Sequence, residues 1–136
     1  MARKDVVVTQ IGPNGAGPNA TPFSLFTSFT TPPTIVKFLD NCSYQINVMT
    51  TDSMGTFEVQ VSNDYYVSEP SNVVMNPGNW IALTLAGGTP TVAAANDYIV
   101  INLNQLPFYA VRLAYLSSVA GTGTATVYIT DKQIGG

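Results

Sequence analysis

Hydrophobic and polar residues alternate with a period of two along several stretches of this chain, the spacing that puts successive side chains of a β-strand on opposite faces. In SYQINVMT, residues 43–50, Tyr44, Ile46 and Val48 share one face while Gln45 and Asn47 take the other. Residues 56–62 repeat the pattern, with Phe57, Val59 and Val61 set against Glu58, Gln60 and Ser62. Tyr109, Val111, Leu113 and Tyr115 likewise line one face of FYAVRLAYL at 108–116. Further strands are predicted at FSLFTSF (23–29), TIVKFL (34–39, after Pro32-Pro33), WIALTLA (80–86), YIVINL (98–103) and within SSVAGTGTATVYIT (117–130), which ends at Asp131-Lys132. No segment requires a helix.

Turn residues punctuate these strands. Asp52-Ser53-Met54-Gly55 supplies the small polar residues and glycine of a hairpin, which predicts antiparallel pairing of 43–50 with 56–62. Residues 63–79, with Pro70, Pro77 and Gly78, form a long connection that suits a Greek-key crossover. Residues 87–97 read as a loop with room for a short edge strand. About eight strands at such spacings predict an all-β fold, an antiparallel β-sandwich of jelly-roll or Ig-like type.

The N-terminal segment stands apart. DVVVTQI at 5–11 is rich in β-branched residues, but GPNGAGPNATP follows and excludes a regular element. Residues 1–22 therefore read as an extended N-terminal arm and loop, and residues 23–136 as the sandwich domain. A linker of about 11 residues, fully extended, spans roughly 35–40 Å and would reach an adjacent subunit. A surface loop is the other reading.

Composition narrows the function. A chain of 136 residues supports one core. Its hydrophobic share, 46%, is ordinary, but charged residues make up only 10%, against about a quarter in a typical globular protein. So few charges leave a weakly charged surface, part of which is expected to be covered by neighbours. The net charge is −3, and the five basic residues, Arg3, Lys4, Lys37, Arg112 and Lys132, form no stripe for phosphates, so nucleic acid is not an expected partner. No apolar run approaches the roughly 20 residues that span a bilayer, and MARKDVVVTQ lacks the apolar centre of a signal peptide. The expected site of synthesis is a cytoplasm, with no membrane partner, and the single Cys42 suits a reducing compartment.

Catalytic chemistry has little to work with. Histidine is absent, which removes the commonest general base and metal ligand. The eight acids are scattered, mostly in or near turns, where Asp caps its own backbone. Glu58 and Arg112 are mid-strand exceptions, expected to form a structural cross-strand ion pair. Asn63-Asp64 and Asp40-Asn41 could offer oxygen ligands but lack the spacing of a calcium loop, and Cys42 has no second soft ligand for zinc. No metal, cofactor or catalytic residue is expected, and the chain reads as a non-enzyme. Tyr65, Tyr66 and Trp80 could form a platform for a sugar or a partner, or could simply pack. Neighbouring tyrosines cannot both point inward from one strand, so one of the pair is expected at a contact surface.

The order NWIALTLAGG followed by YIVINLNQLPFYAVRLAYLSSVAGTGTATVYITDK resembles small structural proteins of tailed bacteriophages, over about residues 23–132. The likeness rests on Leu106-Pro107-Phe108 leading into a strand with a central Arg112, then Gly121-Thr122-Gly123, a closing strand and Lys132; FEVQVSNDYY resembles an earlier strand and loop of that group. It implies a virion component such as a capsid decoration protein, and carries over no catalytic residue. Such a protein would form homo-oligomers, expected as trimers, and bind the major capsid protein or another virion protein. Its contact candidates are Arg3, Lys4, Val6 and Val8 on the arm, with Tyr65 and Tyr66. A place in the neck, tail or head fibre is an alternative, as is a carbohydrate-binding module.

Overall fold

The alternating segments become the long strands of two antiparallel sheets, each turning its apolar positions toward the other. The computed structural model describes residues 3–36, 41–68, 73–85, 87–104 and 108–135, with side chains at 3–7, 41, 104 and 131–135 outside that description. Numbered in chain order, the first sheet holds β1 (Arg3–Gly12), β2 (Gly15–Ala16), β3 (Phe23–Ser24), β6 (Asn41–Thr50), β12 (Asp97–Asn104) and β14 (Gly123–Gly135). The second holds β4 (Phe29–Thr30), β5 (Thr34–Ile35), β7 (Met54–Ser62), β10 (Ile81–Ala82), β11 (Thr91–Ala93) and β13 (Ala110–Val119). A third, two-stranded sheet pairs β8 (Tyr66–Ser68) with β9 (Val73–Asn76). The described residues contain no helix.

The first sheet runs β12-β6-β14-β1-β2, with β3 also on β14; the second runs β10-β7-β13-β4, with β11 on β7 and β5 on β13. Tyr44, Ile46 and Val48 of β6 and Val127 and Ile129 of β14 join Phe57 and Val59 of β7 and Leu113 and Tyr115 of β13 in one buried cluster. Fully burying one such side chain contributes about 1.5–3 kcal/mol. Phe29 of β4 stacks on Phe23 of β3 at 4.4 Å between ring centres and tilts against Tyr115 at 5.4 Å, tying the sheets together.

Strands β6 and β7 do not form the expected hairpin. β6 pairs with β12 and β14, whereas β7 pairs with β13. The chain crosses between sheets at a corner made by a side chain. The Thr50 hydroxyl accepts from the N–H groups of Asp52 at 3.3 Å and Ser53 at 3.0 Å, and donates to the Thr122 carbonyl at 3.0 Å. Such local bonds compete with a hairpin turn, and the crossing lets each apolar face meet the other across the core. The Gly121-Thr122-Gly123 segment makes a second crossing, from β13 to β14, directly against the first. A Cβ on Gly121 would lie 2.7 Å from the Asp52 carboxylate, and one on Gly123 would lie 2.6 Å from Thr50.

The predicted arm is also different in the structure. Residues 3–12 form β1, paired antiparallel with β14 of the same chain from Arg3↔Gly135 to Ile11↔Val127. The β-branched run Val6-Val7-Val8-Thr9 suits a strand, and pairing along β14 satisfies backbone groups that a free arm would leave to water. Residues 63–79 are no crossover either, because the chain leaves β7 and returns to it as β10, Ile81 pairing with Val61. The predicted strand 23–29 divides between the sheets as β3 and β4. Pro32 and Pro33, lacking N–H groups, break the edge strand on β13 into β4 and β5, and the Thr31 hydroxyl accepts the Leu113 N–H at 2.9 Å between them. Residues 37–39 of the predicted strand lie outside the described residues. Strand β10 covers only two residues of the predicted 80–86, extended by a 2.7 Å bond from the Leu83 N–H to the Val59 carbonyl.

Candidate functional site

Register determines what the outer face of the first sheet presents, because directly opposed residues of an antiparallel pair point the same way. Tyr98 lies opposite Asn47, which lies opposite Thr126. The next row is Val100, Gln45, Tyr128 and Gln10, and the one after it Asn102, Ser43, Thr130 and Val8. None of these residues is charged. Large apolar groups stand out between the amides and hydroxyls: Tyr98 is 72% exposed, Val100 59% and Val8 62%, and Met49 is also exposed. Antiparallel sheets usually alternate apolar-in and polar-out, so a strand such as β12, with Ile101 and Leu103 buried and Tyr98 and Val100 outside, is apolar on both faces.

A second feature grows from the end of β7. Asp64 takes the Asn79 backbone N–H and the Asn79 side-chain amide, each at 2.7 Å, and the Ser62 hydroxyl at 2.7 Å. The Asn79 N–H, then Ser62 and the Asn79 side chain, hold its carboxyl below the usual carboxylate range. The clamp therefore persists at neutral and mildly acidic pH and is lost only as pH falls through that lowered value. Beside it, the Trp80 indole N–H donates to the Pro77 carbonyl at 2.9 Å, Arg112 lies over the Trp80 ring at 4.4 Å from its centre, and Tyr65 tilts against it at 5.6 Å. Beyond this stem the β8–β9 hairpin projects Tyr66, Val73, Val74 and Met75, all at least half exposed. At its foot, Val61, Ile81, Leu83 and Phe108 line a cleft of about 400 Å³.

The residues singled out from the sequence separate. Tyr66 is exposed, as one of the tyrosine pair had to be, whereas Tyr65 and Trp80 are half-buried against each other and share no open platform with it. Val8 is exposed on the first sheet. Arg3, Lys4 and Val6 sit on β1 opposite Gly135, Ile134 and Lys132, with side chains outside the described residues. Glu58 and Arg112 do not pair directly. Register puts Arg112 opposite Gln60 and Glu58 opposite Ala114, so Arg112 donates to the Gln60 side chain at 2.7 Å, and Gln60 in turn donates to Glu58 at 2.9 Å. Of the residues behind the phage resemblance, Leu106 and Pro107 lie outside the described residues, while Phe108 packs against the core. Asp40 lies outside them too. Among the described residues no group of three or more His, Cys, Asp or Glu side chains could hold a metal ion, and no helix is long and apolar enough to cross a membrane. Cys42 is buried.

No protein-family model matches the chain, and no curated protein matches it either. Among solved structures, the crystal structure of the SPBc2 prophage-derived protein YomS is similar, with a TM-score of 0.55 over 96% of each chain. The two chains share a fold. At 11% identity the likeness is one of backbone arrangement, and it extends to YomS no statement about the exposed side chains described above.

The sequence reading missed Tyr98, Val100, Met49, Val73, Val74, Met75 and Ile81. A signal was present for the first two: YIVINL is apolar at both parities, more than a strand with one wet face needs.

Proposed function

We propose that this chain is a structural component of a phage particle, an auxiliary protein that self-associates, expected as a trimer, and decorates the capsid shell. The observation that carries the reading is the outer face of the first sheet, where three successive rows across β12, β6 and β14 carry no charge and Tyr98, Val100 and Met49 are exposed. Covering those three rows would bury apolar area and neutral hydrogen-bonding groups, with no charge in them to desolvate. The activity proposed is adhesion, without catalysis or cofactor, and the place of action is the virion after synthesis in the host cytoplasm.

The likeness to a prophage-derived protein supports a phage role. Strand order supports the finer fold type. With β4 and β5 counted as one strand, and β10 and β11 as another, the eight main strands pair first with eighth, second with seventh, third with sixth and fourth with fifth. That is the pairing of a long hairpin rolled into a jelly roll, an architecture used by viral capsid and lectin domains. Fold alone does not choose between shell, neck, tail and fibre. A face with three uncharged rows favours a shell of repeated subunits, and the engagement of Trp80 by Arg112 and Tyr65 removes the aromatic platform that a carbohydrate-binding module would use.

The test is co-sedimentation of the purified chain with empty shells of the major capsid protein of its own phage. Saturable binding is expected, weakened about tenfold or more by Val100→Lys, a change at an exposed position that leaves the fold intact. Absence of binding to shells, with binding to a glycan by the isolated chain, would replace this reading with the carbohydrate one.

A further inference from the structure

Resting on the self-association in the adhesive reading, we propose that two copies pair through strand β12, antiparallel about a two-fold axis at Ile101, so that their first sheets join into one. Strand β12 runs for eight residues at the end of the first sheet, and among the described residues only β6 pairs with it. Alternate residues of an antiparallel strand aim their N–H and C=O groups at opposite neighbours, and two bonds show which aim where. The Thr50 N–H reaches the Asn96 side chain, just before β12, at 2.9 Å, so Thr50 and Val48 face β12, while Asp97, Ile99 and Ile101 face back. The Tyr98 N–H is taken by the Asp97 side chain at 2.8 Å, as suits a group turned away from β6. Val100 and Asn102 share the parity of Tyr98, so their N–H and C=O groups turn outward along the open edge.

Other edges of the two sheets are guarded against such pairing by short strands, proline or charge. Strands β2, β4 and β10 have two residues each, Pro32 and Pro33 interrupt the edge on β13, and β1 begins with Arg3, Lys4 and Asp5. β12 has no proline and a single charge, Asp97, at its first residue. Leu85, Gly88, Pro90, Val100 and Asn102 line one cleft of about 250 Å³ with no charged residue in it, so this edge opens on space. The strand that matches it is β12 itself. With the axis at Ile101, Val100 of each copy lies opposite Asn102 of the other, and every outward N–H and C=O of both residues finds a partner. Tyr98 lies opposite Asn104, where its carbonyl accepts, and Asp97 falls beyond the paired stretch, the two carboxylates at opposite ends. An axis at Val100 would instead set Asp97 against Leu103 and call on the Tyr98 N–H that Asp97 already holds. The contact is isologous and uses up both edges, so it joins copies in twos: a pair, or a pair of trimers where the trimer forms through another surface.

The experiment is the solution mass of the full chain by light scattering over a concentration series, for the parent and Val100→Pro, with cross-linking as a second readout. Proline at position 100 removes an outward N–H and leaves the ladder to β6 intact, as edge strands allow, and circular dichroism checks that the variant keeps the fold. The parent is expected as a pair or a pair of trimers, with this association weakened about tenfold or more in Val100→Pro. For cross-linking, Val100→Cys and Asn102→Cys chains are oxidised with glutathione disulfide, each alone and in equimolar mixture. Opposed residues of a hydrogen-bonded pair lie about 5.5 Å apart at Cα, within the span of a disulfide, so the mixture is expected to cross-link several-fold more than either variant alone. A parent that stays a monomer or a lone trimer at every concentration, a Val100→Pro variant of unchanged mass, or a mixture that cross-links no more than its components would each overturn the proposal. Shell binding by a parent that does not pair would do so while leaving the adhesive reading in place.

Discussion

Gly55 shows how closely the paired strands β7 and β13 of the second sheet approach at one end. A Cβ there would lie 2.5 Å from the Leu116 carbonyl oxygen and 2.6 Å from the Tyr115 hydroxyl, neither of which can move away cheaply. Gly55→Ala is expected to destabilise the fold by about 1–3 kcal/mol, as overpacking usually does, measurable by urea denaturation. The Tyr115 hydroxyl is itself buried, and burial pushes its pKa above the ordinary tyrosine value. A raised pKa means that the fold prefers the neutral hydroxyl, so the stability it gives is present below about pH 10 and is lost as pH rises through the folded value. Tyr115→Phe should flatten the fall in stability above about pH 10, read from thermal unfolding across that range; an unchanged slope would show that another group causes it.

At the scale of elements, alternation told which face of a strand is buried, and little about which strand lies beside it. Residues 56–62 and 108–116 read correctly because Phe57, Val59, Val111 and Leu113 recur at every second position and all face the core. The partner of 43–50 did not, because Asp52-Ser53-Met54-Gly55 has hairpin composition while Thr50 bends the chain through side-chain bonds that composition does not reveal. The N-terminal strand was hidden for a different reason: its partner, β14, lies at the other end of the chain, and no local signal points there. If β1 is a strand of the sheet, its amides resist exchange with solvent. Hydrogen exchange followed by NMR should find protected N–H groups between residues 8 and 11, exchanging at least about a hundredfold more slowly than free peptide. Rates near those of free peptide would restore the arm.

For the molecule as a whole, low charge was the most informative feature of the sequence, and the structure shows where it is spent. Three successive rows of one sheet face, from Tyr98 to Asn102 on β12, carry no charge, while Arg112, Glu58 and Asp64 are gathered on the second sheet and at the stem. The contact candidates were only partly legible. Tyr66 followed from the geometry of adjacent residues, but Tyr98 and Val100 sit in a run whose apolar character at both parities looks the same as full burial. The uncharged rows of the first sheet are the surface that the proposed shell contact would cover. The most direct test of that account is hydroxyl-radical footprinting of the chain, free and bound to empty capsid shells. Tyr98 and Met49 are expected to lose most of their reactivity on binding, while Tyr66 and Met75, which lie on the separate β8–β9 sheet, change little between the two states. Unchanged reactivity at Tyr98 and Met49 in the bound protein would contradict the account.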